Sequence, residues 1–192
     1  MIMNKMKNKI IIISAPSGSG KTTIVKHLLS IDLFNLTFSI SATNRNPRNN
    51  EVNGVDYFFL TTEEFKTKIQ NNEFLEWQEV YTDRFYGSLK KVEDFLPTNN
   101  LLFDVDVVGG YNIKKHYGDR ALSIFIKPPS IQILERRLID RKTDDSETIK
   151  KRVEKAAKEL EYEHLFDVSI TNDILEKALN ETSEKIKYFL NL

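Results

Sequence analysis

A chain of 192 residues with 40% hydrophobic and 29% charged side chains has the make-up of a folded domain long enough to bury a core. Its 28 basic and 28 acidic residues cancel, so no overall field draws it to nucleic acid or an anionic membrane, and any anion site must come from a local cluster of cations. Absence of cysteine excludes disulfides, thiolate nucleophiles and cysteine-held metals and fits a cytoplasmic location; the basic Met1–Lys9 stretch leads into only four isoleucines, too few for a signal core or a membrane span.

Met1–Lys7 carries no legible role and is expected to be loosely ordered. Ile10–Ser14 reads as a central parallel strand, apolar on both faces. Lys21–Leu29 reads as a helix with Ile24, Val25, Leu28 and Leu29 on one side, and Leu36–Ser41 as a second strand. From about Ala42 to Lys91 the rhythm changes to a polar and aromatic stretch with β-like pieces at Tyr57–Leu60 and Phe74–Tyr81. Between them Thr61-Thr62-Glu63-Glu64 predicts a capping box that opens a helix through Ile69. Leu101–Val105, Ala121–Ile126 and Val168–Thr171 are further strands; Ser130–Asp140, Glu147–Glu161 and Asp173–Leu190 are further helices, with Ser130 as an N-cap after Pro128-Pro129. The polar gap Lys142–Ser146, flanked by Arg137, Arg141 and Arg152, is a candidate mobile lid. Strands alternating with helices predict an α/β fold with a parallel sheet wrapped by helices and an inserted lobe.

The segment that follows the first strand, Ala15-Pro16-Ser17-Gly18-Ser19-Gly20-Lys21-Thr22-Thr23, carries the clearest chemistry. Gly18 and Gly20 let main-chain N–H groups turn inward, and the start of a helix adds its positive end, which together make an anion cradle. Lys21 is placed to reach β- and γ-phosphates and the Thr22 hydroxyl to ligate Mg²⁺. The pattern G-x-x-x-x-G-K-[ST] is met except at Ala15, where its first glycine stands. A flexible Gly/Ser turn is the plain alternative. On its own the loop implies a bound nucleoside triphosphate without naming a reaction.

A second set lies in the inserted lobe. Arg45 and Arg48 sit three positions apart beside Pro47, and guanidinium forks suit phosphate oxygens. Glu51, Tyr57, Glu76 and Tyr86-Gly87-Ser88 follow. A carboxylate such as Glu76 accepts from the N1–H and exocyclic amine of guanine, a donor pair that adenine lacks. Taken singly, the arginines read as surface charges and the tyrosines as partial core. Asp104 and Asp106 follow an apolar strand end, where ligands sit in open α/β sheets; the plain alternative for each is a helix N-cap or a surface carboxylate. His27, His116 and His164 are not spaced as metal ligands, and Trp77 reads as lobe core.

Taken together, these motifs resemble the guanylate kinase family over nearly the whole chain. The resemblance is carried by A-P-S-G-S-G-K-T at 15–22, S-A-T-N-R-N-P-R at 41–48, E-V-N-G-V-D-Y-F-F at 51–59 and F-L-E-W at 74–77. It continues with F-Y-G-S at 85–88, D-V-D at 104–106, P-P-S at 128–130 and the spaced Arg137, Arg141 and Arg152. It implies Mg²⁺-dependent transfer of the γ-phosphoryl group of ATP to GMP and dGMP, giving ADP and GDP, in purine nucleotide metabolism. It implies a phosphate-loop fold in a single domain: core 8–41, 92–136 and 153–192, acceptor lobe 42–91, helical lid 137–152. ATP would meet Ala15, Pro16, Ser17, Gly18, Ser19, Gly20, Lys21, Thr22, Thr23, Arg137, Arg141 and Asn172, with Asp173 close by. Arg45, Arg48, Tyr57 and Tyr86 would hold the GMP phosphate, and Ser41, Glu76, Ser88 and Asp104 the base, with Glu51 in the same pocket. Thr22, Asp104 and Asp106 would serve Mg²⁺, and Lys21, Arg45, Arg137, Arg141 and Arg152 the transfer itself.

Three departures stand out: Ala15 for glycine, a Glu76–Tyr86 segment one residue longer than the usual pattern, and Val107-Val108-Gly109-Gly110 without a polar residue often found there. Two other readings share the motifs. One is a peptide-binding module that has lost catalysis, although such modules typically lose the loop lysine. The other is a related kinase with a different acceptor, such as a ribose bisphosphate or another nucleoside monophosphate. No nucleic-acid or membrane partner is expected, and monomer and homo-oligomer stay open.

Overall fold

The computed structural model describes residues 8–48, 50–140 and 145–192. Its core is a five-stranded parallel sheet built on β1 (Ile10–Ser14). All four isoleucines of β1 are fully buried because both faces are covered. Successive side chains alternate between faces. Ile11 and Ile13 pack with Ile24, Val25 and Leu28 of α1 (Lys21–Leu29), while Ile10 and Ile12 pack with Leu101, Phe103 and Ile113. An apolar run of this length thus serves two cores at once.

The predicted strand Leu36–Ser41 divides at Ile40. β2 (Leu36–Ser39) joins the core sheet, and β3 (Ser41–Thr43) belongs to a second sheet. That second sheet also holds β4 (Phe58–Phe59), β5 (Phe74–Tyr81) and β6 (Arg84–Leu89), in the order β4-β3-β6-β5. Helix α2 (Thr62–Gln70) opens on the expected capping box: the Thr61 hydroxyl accepts from Glu64 N at 3.1 Å, and Thr61 N donates to Glu64 Oε2 at 2.7 Å. Phe65 of α2 stacks between Phe74 and Phe85, giving the lobe a small core of its own.

The core sheet resumes with β7 (Asn100–Val105), which pairs with both β1 and β2. Helix α3 (Val107–Tyr117) follows, then β8 (Ala121–Lys127), α4 (Ile131–Asp140), α5 (Ser146–Leu160), β9 (Val168–Thr171) and α6 (Leu175–Leu190). The strand order is β2-β7-β1-β8-β9, every neighbour parallel. Ser130 Oγ accepts from Ile133 N at 3.2 Å at the head of α4, and Asp145 caps α5. Of the candidate lid, residues 141–144, which include Arg141 and the first three residues of the polar gap, lie outside the described residues, as does the Met1–Lys7 segment. Among the described residues no helix is long and apolar enough to cross a membrane.

Two elements are not marked by apolar periodicity. Helix α3 opens on two valines and two glycines, poor helix formers, and is held by Asp106 as N-cap, whose Oδ1 accepts from Gly109 N at 2.9 Å. Strand β6 carries Gly87 and Ser88 and takes its place from pairing with β3 and β5. The register of β5 against β6 slips between Glu79 and Tyr81, so Val80 is an extra residue that β6 does not match. This bulge lies within the segment that is one residue longer than the resembling pattern.

Candidate active site

The loop between β1 and α1 lies at the carboxyl end of the sheet, where open α/β folds bind ligands. Gly18 and Gly20 have φ of +95° and +90°, a left-handed backbone that other residues adopt at a cost. At Gly20 a β-carbon would also come within 2.3 Å of Asn172 Nδ2. Ala15 is not among the residues with positive φ, and its methyl group is buried against the same core as Ile24 and Val25, so this site accommodates alanine. Asn172, itself buried, donates from Nδ2 to Ser19 O at 2.8 Å, while Arg137 Nη2 donates to Asn172 O at 2.9 Å. Asn172 therefore shapes the loop from beneath.

The Lys21 ammonium is paired with Asp104 Oδ1 at 2.7 Å and donates to Val105 O at 2.7 Å. Asp106 behaves differently from its neighbour. Its Oδ1 caps α3 and its Oδ2 accepts from Gln78 Nε2, so both oxygens are engaged within the protein.

Across the cleft, pairing brings three sequence-distant residues into one row. Ser41 on β3 lies opposite Ser88 on β6, and Ser88 lies opposite Glu76 on β5. Ser88 Oγ donates to Glu76 Oε1 at 2.8 Å. Glu76 is only 8% exposed; burial pushes its carboxyl up to about 7, the charge of Asp106 adds to the rise, and the Ser88 hydrogen bond opposes it.

Arg45 forms a two-pronged pair with Glu51, Nη1 to Oε2 at 2.6 Å and Nη2 to Oε1 at 2.7 Å. Glu51 Oε2 also accepts from Arg48 N at 2.7 Å. The Arg45 hydrogen bonds hold the Glu51 carboxyl down at about 2, with the Arg48 amide adding to the effect. The Arg45 guanidinium stacks 4.9 Å from the ring centre of Tyr57, whose own ring packs edge-on to Tyr86 at 6.1 Å. Burial raises the Tyr57 hydroxyl, with Asp104 contributing, which keeps it a neutral donor.

Lys21, Thr22 and Ser17 from the loop, and Ser41, Arg48, Tyr57, Glu76, Tyr86, Asp104, Asp106 and Arg152 from elsewhere, line one cleft of about 360 Å³. Arg45 and Glu51 are not on its wall; they stand behind Tyr57 and Arg48. Ser88 is fully buried under Glu76. A separate recess of about 410 Å³, on the far side of the loop, is lined by Gly18, Gly20, Thr23, Arg137, Asp140, Asn172, Asp173 and Leu175. The cleft also holds Gln78, Val80 and Lys155, which the sequence reading did not name. Gln78 and Val80 continue the two-residue repeat from Glu76, and Lys155 lies three residues beyond Arg152 on α5, so both spacings were available in the sequence.

A glycine-bent loop with lysine and threonine at the end of a central parallel strand, facing a pocket of guanidinium, phenol and buried carboxylate, defines a nucleotide-binding protein of the phosphate-loop class. Comparisons with known proteins make this specific. The sequence profile of the family described as guanylate kinase matches residues 7–188. The guanylate kinase of Bacteroides thetaiotaomicron is 58% identical over 191 residues, spanning 98% of this chain and 93% of that protein. The guanylate kinase of Porphyromonas gingivalis is 54% identical, spanning 95% of this chain and 98% of that protein. The crystal structure of guanylate kinase from Anaplasma phagocytophilum superimposes with a TM-score of 0.74 at 27% identity, covering 95% of this chain and 86% of that one. The chain belongs to the guanylate kinase family, the nucleoside monophosphate kinases that pass a phosphoryl group from ATP to GMP.

Proposed function

We propose that the chain carries out its family's reaction with the phosphate loop as donor site and the lobe-facing wall of the cleft as acceptor site. One observation carries this reading: Lys21 and Thr22 open on the same cleft as Arg48, Tyr57, Tyr86 and Glu76. Two anions seated there would meet without crossing solvent.

The chemistry asks mainly for positioning and charge neutralisation. The attacking group is a phosphate oxygen, whose second ionisation lies near pH 6, so no protein base is required at neutral pH. Loop amides and Lys21 take the β- and γ-phosphates, with the ammonium leaving Asp104. Arg48, Tyr57 and Tyr86 hold the acceptor phosphate, and the Arg45–Glu51 pair braces the first two. Ser41 and Glu76 read the base, with Ser88 holding Glu76 from beneath and Asp104 assigned beside them. Arg152, on the same wall, neutralises charge at the point of transfer; Arg137 acts from the recess side as the segment 137–152 closes over the donor, and the family resemblance adds Arg141 to the residues that serve the transfer. Closure of this lid and of the lobe excludes water, which would otherwise hydrolyse ATP.

Mg²⁺ fits the donor set. The Thr22 hydroxyl and Asp104 supply hard oxygens on one wall, and among the described residues no cluster of three acidic or imidazole groups forms a closed cage. That suits an ion bound by one or two protein oxygens plus substrate phosphates. When bound with ATP it would supply charge neutralisation at the β- and γ-phosphates. Asp106, with both oxygens engaged, would act on it only through water.

The test is ADP release with ATP and Mg²⁺ in the presence of GMP, dGMP, AMP, UMP or CMP, and with no acceptor. Turnover confined to the guanine nucleotides supports the reading, and preference for another acceptor or none overturns it. The nucleotides of the cytoplasm are the proposed substrate pool.

A further inference from the structure

Strand β5 turns Glu76, Gln78 and Val80 toward the cleft. The roles assigned so far leave Gln78 without one, yet its surroundings restrict what it can do. Its Nε2 donates to Asp106 Oδ2, and Asp106 is itself fixed at the head of α3 by the hydrogen bond from Gly109 N. An ionised carboxylate only accepts. The Gln78 amide must therefore point its nitrogen at Asp106, which settles an orientation that amides otherwise leave open. The carbonyl oxygen is the end left to serve the cleft. Gln78 is a neutral, oriented hydrogen-bond acceptor standing among cations and donors.

Strand pairing gives its place along a bound nucleotide. Glu76 lies opposite Ser88 and Ser41, in the row assigned to the base. Two residues further along β5, Gln78 lies opposite Tyr86, in the row that leads to the phosphate pocket with Tyr57. That step is about 7 Å along a strand. The group between the base and the phosphate of a nucleoside monophosphate is the ribose, whose hydroxyls are donors in want of an acceptor. The 2′-hydroxyl sits beside the base-bearing carbon and so faces the residue next in line after the base reader.

We propose that Gln78 is a specificity-determining residue whose side-chain carbonyl accepts a hydrogen bond from the ribose 2′-hydroxyl of GMP, with Asp106 as the positioning residue that keeps the amide this way round. The proposal rests on the reading of the cleft as the acceptor site. It assigns the chain a preference for GMP over dGMP that the base-reading row does not supply.

The experiment compares kcat/KM of the unaltered chain and Gln78→Ala for GMP, dGMP and IMP at saturating ATP and Mg²⁺, with Tm as the check on folding. The preference for GMP over dGMP is expected to fall about tenfold, the worth of one well-placed hydrogen bond, while the ratio of GMP to IMP stays within twofold. Equal proportional loss with GMP and dGMP would mean that Gln78 acts through Asp106 on the site as a whole, and overturns the proposal. So does an unchanged preference. A collapse in the ratio of GMP to IMP assigns the carbonyl to the exocyclic amine of guanine and overturns it too. If the unaltered chain phosphorylates no guanine nucleotide, the acceptor-site reading falls together with the proposal; turnover with unaltered preference in the variant removes the proposal alone.

Discussion

The phosphate-loop side of the cleft comes from one unbroken stretch, residues 15–23, whereas the lobe side is assembled from β3, β5, β6 and the Arg45–Tyr57 segment. The loop presents main-chain N–H groups, held by the left-handed turns at Gly18 and Gly20 and by Asn172 beneath. The lobe presents side chains whose positions depend on strand register and on the Arg45–Glu51 pair. A site made of backbone is insensitive to most neighbouring substitutions but grips any suitable phosphate. A site made of side chains can tell bases apart, and each of its members can be lost singly.

The sharpest way to break this contrast is at Lys21, the side chain of the loop that carries charge. Lys21→Ala is expected to lower kcat by on the order of 10³ while Tm moves only a few degrees; a variant that keeps its rate would refute the donor assignment. Next comes Arg45→Ala, which removes a brace and leaves the Glu51 carboxylate without its guanidinium. A fall of about 10² in kcat/KM for GMP is expected, from higher KM and lower kcat together, with KM for ATP little altered. Steady-state titration of each substrate separates the two. An equal rise in the ATP constant would show that the lobe and loop are not energetically distinct.

Glu76 tests the discriminating side by pH. Its carboxyl is raised from its usual 4.5 to about 7, first by burial and then by Asp106. It must be ionised to accept from two guanine donors, so kcat/KM for GMP should fall about tenfold per pH unit below 7. Glu76→Gln should remove that step, leave the ionisation of the GMP phosphate visible near pH 6, and weaken the choice of GMP over AMP. For folding the sign is opposite: a raised carboxyl favours the fold below about 4.5 and loses that contribution by about 7. A pH profile identical in the two proteins would take Glu76 out of base reading. The smallest effect is expected from Thr61→Ala, which dismantles the α2 capping box at a cost of about 1 kcal/mol. Tm should drop by a few degrees with selectivity among acceptors kept; altered selectivity would mean that the lobe's helix bears directly on the pocket.

Legibility in the sequence follows the same division. Ile10–Ser14 and Lys21–Leu29 coincide with their predicted bounds because strand, turn and helix are all encoded locally. Val168–Thr171 and Phe74–Tyr81 also coincide. Residues 36–41 read as one strand because nothing local marks Ile40 as a change of sheet. Helix α3 escaped periodicity since its first turn is two valines and two glycines, and its stability comes from Asp106 and from packing of Ile113 under β1. The row Ser41–Ser88–Glu76 is a fact of register, which no single segment states; resemblance to a family supplied those residues, and strand pairing supplies the reason they meet. Gln78 and Lys155 were hidden in plain periodicities, one step along a strand and one turn along a helix from residues already singled out.

The chain passes into the lobe at Ser41 and comes back toward the core after Ser88, and these two residues are ladder partners. The stretch between them has an aromatic centre of its own, yet it is also tied to the core: Gln78 Nε2 donates to Asp106 at the head of α3, and a β-carbon added at Gly109 would stand 3.0 Å from Glu76 Oε2. A new acceptor written into the lobe would therefore have to keep the first turn of α3, glycines included, or rewrite it at the same time.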